Sequence, residues 1–318
     1  MQFDLASNVA LQNVLANMEI ERKKISAAQT KGYIGIGAGV FLLILGFILG
    51  FPVAGIVGLI ALGIVGGIIL YRIGDELHAY KDAYKRDVIG AALKFMDPSL
   101  TIQPYEGILA QEFIYSQLFT QQPDRYKTED LVSGTAGKTS FYFAEVHAEY
   151  KTVHQTKNGT RTEWHDIFKG IIFVADFNKY FNGVTVVRPK DFGAAIGAWF
   201  SKNVFSYGSK DVVSLENTDF DKTFVTYATD QVEARYILTP AMMERILNLH
   251  NSAKYAISLS FIESRMYIGF PLNRNYFEAP VFKTLLNPQL LNDDIAAIKF
   301  MHDIVQELDL NTRIWGKQ

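Results

Sequence analysis

The chain has 318 residues, a formal net charge of −2 and no cysteine. Near-neutrality excludes a nucleic-acid partner held by bulk electrostatics, and the lack of cysteine excludes disulfides and thiolate metal sites. Charge is unevenly spread, because forty consecutive residues, Gly32 to Tyr71, carry none. Ahead of that run, in residues 1–31, Leu11, Met18 and Ile25 recur every seven positions with Val14 and Leu15 between them, the stripe of an amphipathic helix.

Within the uncharged run, Tyr33–Gly50 and Val53–Tyr71 are each the length of one membrane crossing, roughly 27 to 29 Å at 1.5 Å per residue. One helix over the whole run would be twice too long, and Pro52 lacks a backbone N–H. The break is therefore expected at the turn Gly50-Phe51-Pro52, giving a two-helix transmembrane hairpin over 32–71. Glycines at small-xxx-small spacing, Gly35/Gly39, Gly46/Gly50 and Gly63/Gly67, are candidates for close helix packing where lipid offers no hydrophobic drive.

Basic residues set the expected orientation. Arg22, Lys23, Lys24 and Lys31 precede the first span, Arg72, Lys81, Lys85 and Arg86 follow the second, and the turn between carries no charge. Both termini are thus expected in the cytoplasm, with the chain integral to the inner membrane. A secretory signal would need a charged start, one short apolar core and a small-residue cleavage site, and the sequence has none of that order. After the second span, Ile73, Leu77, Tyr80, Tyr84, Val88, Ala91 and Phe95 recur at three and four, so 72–97 reads as a helical stalk that could pair with the 1–31 helix, the alternative being that each stripe packs on the globular domain or on another subunit.

Beyond Asp97-Pro98 the remainder, 98–318, reads as a cytoplasmic α+β domain. Ala110–Phe119 has helical periodicity, and from Leu131 the period falls to two, with Val, Ile, Phe and Tyr dominating. A hairpin centred on Asn158-Gly159 would pair Tyr150 with Ile167, Val146 with Ile171, Ala144 with Phe173, Lys151 with Asp166 and His147 with Gly170. The sequon Asn158-Gly159-Thr160 is then a turn, and no glycosylation is expected of a cytoplasmic domain. His147 lies between Glu145 and Glu149, and His154 and His165 lie near Glu163 and Asp166, a composition that resembles a metal cluster. Metal ligands must converge, and that register puts His147 on the side away from His154 and His165. No metal or other cofactor is expected, and these residues read as a solvated strand face. Gly134-Thr135-Ala136-Gly137-Lys138-Thr139 lacks the first glycine of a phosphate-binding loop, since Val132 holds that position, and a strand rather than a helix follows. No HExxH helix and no GxSxG elbow occurs.

The small-residue stretch Phe192–Phe200 reads as a buried short helix, with contact at the membrane headgroup level as the alternative. Strands are expected near Val213–Leu215 and Phe224–Tyr227, and a further extended run near Asp230–Leu238. Thr239 then caps a helix whose first turn takes Pro240 and whose apolar side is Met242, Met243, Ile246, Leu247 and Leu249. On three stretches, Tyr126–Gly134 (YKTEDLVSG) with Phe143-Ala144-Glu145 after it, Phe168–Phe177 (FKGIIFVADF) and Leu215–Leu247, the chain resembles a family of bacterial membrane proteins classed as a domain of unknown function. The resemblance implies a two-span hairpin followed by a cytoplasmic domain, and it carries no activity, ligand or catalytic residue. It singles out Arg235, with Asp230, Glu233 and Tyr236 near it, as candidate functional residues; on an extended strand Glu233 and Arg235 would sit side by side.

Ala256–Phe261 and Met266–Phe270 read as a hairpin. A closing helix, opened by Asn292-Asp293-Asp294, carries Ile295, Ile298, Met301, Ile304, Val305 and Leu308. The expected fold class is α+β: a transmembrane hairpin and helical stalk, then an antiparallel sheet with packed helices, by analogy a pleckstrin-homology-like barrel. No catalytic motif is visible, so the expected function is a membrane-tethered binding or scaffolding module, with the bilayer and a protein partner or further copies of the chain as its contacts. The alternative is a membrane-bound hydrolase using the His147/Glu145/Glu149 face or the Asp230/Arg235 neighbourhood. A polar pocket gathering two or more of His147, His154, His165, Asp166 and Arg235 would favour the enzyme.

Overall fold

A computed structural model describes residues 9–156, 159–177, 179–190, 212–253, 256–272, 274–287 and 289–310. Asn158 of the expected turn and the 192–200 stretch lie outside them. The chain divides into two compact units: residues 1–92 with 277–294, and residues 93–276 with 295–318.

The first unit is helical. Helix α1, Val9–Ile48, is continuous, so the amphipathic arm and the first apolar segment are one element, and α2, Pro52–Arg72, follows it. Both are long and apolar enough to cross a membrane, and they keep large side chains such as Phe41, Phe47, Ile60 and Ile64 exposed. The turn falls where Pro52 predicts: Gly50 has φ +78°, the Phe51 amide donates to the Gly46 carbonyl at 2.7 Å, and Pro52 opens α2 without losing an N–H that a helix could use. A Cβ on Gly46 would lie 2.9 Å from the Gly55 Cα, so these helices touch backbone to backbone there. Cβ atoms on Gly35 and Gly39 would also meet α2, at Gly66 and Leu59, whereas Gly63 and Gly67 face open space. The small residues of α2 that meet α1 are instead Gly55, Gly58 and Gly66.

Helix α3, Gly74–Ala83, a π-helical turn at Tyr84–Ile89 and α4, Gly90–Met96, continue the chain. Leu11, Met18 and Ile25 of α1 are buried, as are Ile73, Tyr80, Tyr84 and Val88, and Lys24 bridges Glu76 at 2.8 Å. The segment 277–294 is tied into this unit by polar contacts. The Tyr80 hydroxyl donates to the Pro280 carbonyl, Arg22 to the Val281 carbonyl, and Thr284 and the Leu285 amide donate to the Glu19 carboxylate.

The second unit is built on one antiparallel sheet of nine strands among the described residues. They are β1 Thr101–Gln103, β2 Arg125–Ala136, β3 Thr139–Thr156, β4 Gly159–Asp176, β5 Val184–Pro189, β6 Val212–Val213, β7 Phe224–Ala228, β8 Ser258–Ile262 and β9 Arg265–Pro271, in the order β1-β2-β3-β4-β9-β8-β5-β7-β6. The sheet is open, with β1 and β6 at its edges, so the fold is α+β but not a pleckstrin-homology-like barrel. The short helix α5, Ala110–Tyr115, stops before the expected Phe119, because Gln117 turns to φ +50° and Leu118 and Phe119 enter the core directly. Residues 108–119 cover one face of the sheet, packing Phe113, Leu118 and Phe119 on Ala144, Val146, Ala148, Phe168 and Ile172.

Three further helices complete the described residues of this unit before the last one: α6 Thr218–Thr223, α7 Gln231–Ile237 and α8 Pro240–Ser252. Thr239 caps α8 and Met242, Met243, Ile246 and Leu249 are buried, as the pattern requires. Helix α9, Gln289–Glu307, begins three residues before the expected Asn292, and its whole predicted stripe is buried. Within this unit α9 meets the sheet's other face, through Phe300 on Phe270 and His302 on Phe141.

The β3–β4 register differs from the expected one. Thr156 pairs with Gly159, so the ladder closes one step before the Asn158-Gly159 centring would place it. A bulge between Ala148 and Glu149 then inserts Ile167 and shifts the pairing again. Val146 consequently faces Gly170, Ala144 faces Ile172 and Ala148 faces Phe168. A one-residue slip turns every side chain over, and the observed register keeps the even-numbered β3 residues on one apolar face. The Gly134–Thr139 stretch is a turn between β2 and β3, with Gly137 at φ +65° and no helix after it.

Candidate functional site

On the other face of β3 the odd-numbered side chains change character along the strand. Phe141 and Phe143 are buried, with Phe141 against His302, and beyond them come Glu145, His147 and Glu149. The registers line these up with β2 and β4 in three rows. Arg125, Glu149 and Asp166 form one row, Lys127, His147 and Lys169 the next, and Glu129 and Glu145 the third, where β4 contributes Ile171. Directly paired residues on adjacent strands share a face and stand about 5 Å apart, so the second row sets three basic side chains together.

This face borders a cleft of about 700 Å³. Tyr105 gives it apolar wall, Lys127, Lys169 and Arg274 give it positive charge, and Glu129 and Glu145 give it negative charge, while the Tyr126 and Val146 side chains turn to the opposite face of the sheet. Gly170 borders it too, and a Cβ there would sit 2.1 Å from the Phe270 carbonyl, so no side chain fits. The Thr128 hydroxyl donates to the Glu145 carbonyl at 2.9 Å and accepts from the Ile108 amide at 3.2 Å. The Tyr126 phenol donates to the Ile108 carbonyl, and burial pushes its pKa up, so it stays protonated.

Two groups could offer atoms to a metal. His147, Glu149 and Asp166 bring one ligand atom each within 4.8 Å of one another, with His147 Nε2 2.7 Å from Asp166 Oδ1. The bulge at Ile167 carries Asp166 to His147, a meeting that the expected register did not provide. His165 lies on the opposite face, tilted against the Tyr150 ring and bonded to Thr152, and His154 pairs with Arg161. Arg125 already holds Glu149 at 3.0 Å while lying over the Trp164 ring, and Lys127 and Lys169 flank His147, so the surroundings oppose a divalent cation. Glu129, Asp130 and Glu145 make the second group. Asp130 sits at the β2 bulge with φ +60°, and the Tyr276 amide donates to Glu145.

The Asp230–Leu238 run is helix α7 rather than a strand. Asp230 is its N-cap, accepting from the Val232 and Glu233 amides, and Ala234 and Ile237 are its buried positions. Glu233 accepts from the Asn182 and Gly183 amides at 3.0 and 2.8 Å, which holds the β4–β5 connection. Tyr236 lies under the Lys179 ammonium, 3.3 Å from its ring centroid. Arg235 is exposed and reaches the Gln231 and Ser214 carbonyls at 3.4 and 3.5 Å, not Glu233. The signal for this helix was Asp230-x-x-Glu233, an N-cap acid followed by an acid three residues later.

Residues 166–310 match a family model described as a protein of unknown function, DUF3137. Over that stretch the chain carries a DUF3137 domain, which includes the Phe168–Phe177 and Leu215–Leu247 stretches and leaves Tyr126–Gly134 outside it. No curated protein sequence matches the chain. Among solved structures, the crystal structure of the mycobacterial trehalose monomycolate transport factor A, TtfA, is similar at a TM-score of 0.35 and 10% identity, over 70% of this chain and 97% of that one. So distant a likeness carries no argument, and the α+β class rests on the strands and helices themselves.

Proposed function

We propose that the chain is a membrane-tethered, non-catalytic binding or scaffolding module of a bacterial inner membrane. Residues 33–50 and 53–71 cross the bilayer, the Gly50-Phe51-Pro52 turn lies outside, and both termini are cytoplasmic. The basic flanks and uncharged turn support the orientation, and the exposed apolar side chains of α1 and α2 support the crossing. The observation that carries the binding role is the cleft. Its volume lies in the range of small-molecule sites, and the Thr128 and Tyr126 hydroxyls at its border are already bonded to backbone groups. A protein partner or a second copy of the chain remains the further contact of a scaffold.

The hydrolase reading draws on the 2.7 Å His147–Asp166 contact, which resembles a base and its orienting acid. Of the residues that would favour it, the cleft gathers His147 alone among the described residues. Asp230 and Glu233 are bonded to backbone amides, so neither is a free acid. A C-terminal reporter should be active only in the cytoplasm, and one active outside refutes the topology. Affinity capture from solubilised membranes should return a partner or ligand that the Lys127→Ala/Lys169→Ala variant loses; unchanged capture would move the binding surface away from the cleft.

A further inference from the structure

We infer that the cleft recognises a phosphate ester, its anionic group held by Lys127, Lys169 and His147 and its body lying against Tyr105. The inference rests on the reading of this domain as a binding module. Its basis is the row of bases. Lys127 on β2 and Lys169 on β4 stand on either side of His147 on β3, so two ammonium groups share one face of the sheet. Neither Lys127 nor Lys169 is in an ion pair among the described residues, although nearby Arg125 and His147 both have acidic partners. Asp166 holds the His147 ring at Nε2, which fixes the middle of the row. A dianion spanning the row would satisfy both ammonium groups at once, which a single carboxylate does less well, and lysine serves phosphate as a point charge. The cleft is several times larger than a phosphate group, and Tyr105 at its edge suits an organic body attached to it. The acids Glu129 and Glu145 lie one row away, where Glu145 is held by the Tyr276 amide, so they bound the anion site on one side and fix which end of a ligand enters.

Two sources share this chemistry, a soluble phosphate ester and a phospholipid headgroup. The test uses the full chain in nanodiscs and reads its thermal midpoint and binding isotherm. Inorganic pyrophosphate is added to discs of phosphatidylcholine alone, and separately the discs are made with phosphatidic acid and no pyrophosphate. A saturable rise with pyrophosphate assigns the site to a soluble ligand, and a rise with the acidic lipid alone assigns it to a headgroup. In either case Lys127→Ala/Lys169→Ala should weaken binding by roughly tenfold or more, while the control Lys222→Ala, on α6, leaves it unchanged. No rise under either condition overturns the inference, as does a rise that the double variant retains. A retained rise would still leave a binding module standing, whereas extracellular placement of the C-terminal reporter would remove the tethered cytoplasmic reading and not this one.

Discussion

The helical unit and the sheet unit handle charge in opposite ways. In the helical unit Glu19 and Arg22 are both buried, and each finds a complete set of partners: two guanidinium bonds at 2.8 and 2.9 Å, the Thr284 hydroxyl and the Leu285 amide on the carboxylate, the Val281 carbonyl on the guanidinium. In the sheet unit, Lys127, His147 and Lys169 are set side by side on adjacent strands next to an open cleft, and the two lysines have no acid in contact among the described residues. The first arrangement is closed and fixes structure. The second leaves attraction for an anion at the surface. A buried pair that loses one member strands the other in low dielectric, whereas removing one of two ammonium groups that share a sheet face relieves repulsion.

The largest effect is expected at the closed pair. Glu19→Ala leaves Arg22 buried without its acid, and a loss of about 3–5 kcal/mol of stability should follow, measured by denaturant unfolding in detergent. The same pair gives a pH signature. Hydrogen bonds from Arg22, with those of Leu285 and Thr284, hold the Glu19 carboxyl well below its ordinary 4.5, at about 2. A depressed carboxyl adds stability above its unfolded value, and that stability is lost as pH falls from about 4.5 towards 2. Wild type should therefore lose midpoint across that window more steeply than Glu19→Gln. Equal slopes would show that the pair contributes nothing through ionisation.

Next come the charges that answer backbone amides. Glu233→Ala removes the acceptor for the Asn182 and Gly183 amides and should cost about 1–3 kcal/mol, and Asp230→Ala removes a helix cap worth about 1 kcal/mol. Hydrogen exchange at 182 and 183 is the sharper readout for Glu233, since protection there should fall while the α8 amides keep theirs. Smaller still, Lys169→Ala should leave the midpoint unchanged or raise it by less than about 1 kcal/mol in the absence of anion. A clear destabilisation would mean that the lysine packs as structure, and would erase the contrast between the two units.

What was legible in the sequence follows from the range over which each feature is encoded. The turn at Pro52, the Thr239 cap and the α9 stripe are local patterns, and each appears where its residues put it. The basic row is not local. Lys127, His147 and Lys169 meet only through two registers, and those depend on a ladder that closes at Thr156 and Gly159 and on a bulge at Ile167. A bulge is a backbone event with no composition of its own, so a pairing extrapolated from the turn drifts by one residue and turns His147 towards the wrong neighbour. Helix α7 was hidden for a different reason. Its alternating Val232, Ala234 and Tyr236 imitate a strand, while the Asp230 cap and the pair of buried positions at Ala234 and Ile237 decide for helix.

The smallest stability effect is expected at Arg235, the residue that the sequence marks most strongly. It is exposed, and its two contacts, at 3.4 and 3.5 Å to carbonyl oxygens, are long for hydrogen bonds. Arg235→Ala should shift stability by no more than about 0.5 kcal/mol. Its neighbours on α7 divide the work otherwise: Asp230 and Glu233 are turned to backbone and Tyr236 to Lys179, so Arg235 is the charged member of that set directed outward. An unchanged midpoint together with loss of a captured partner would make it a contact residue on a rigid helix. A midpoint loss as large as that of Glu233→Ala would place it with the closed charges instead, and the distinctive motif would then be explained by the seating of α7 alone.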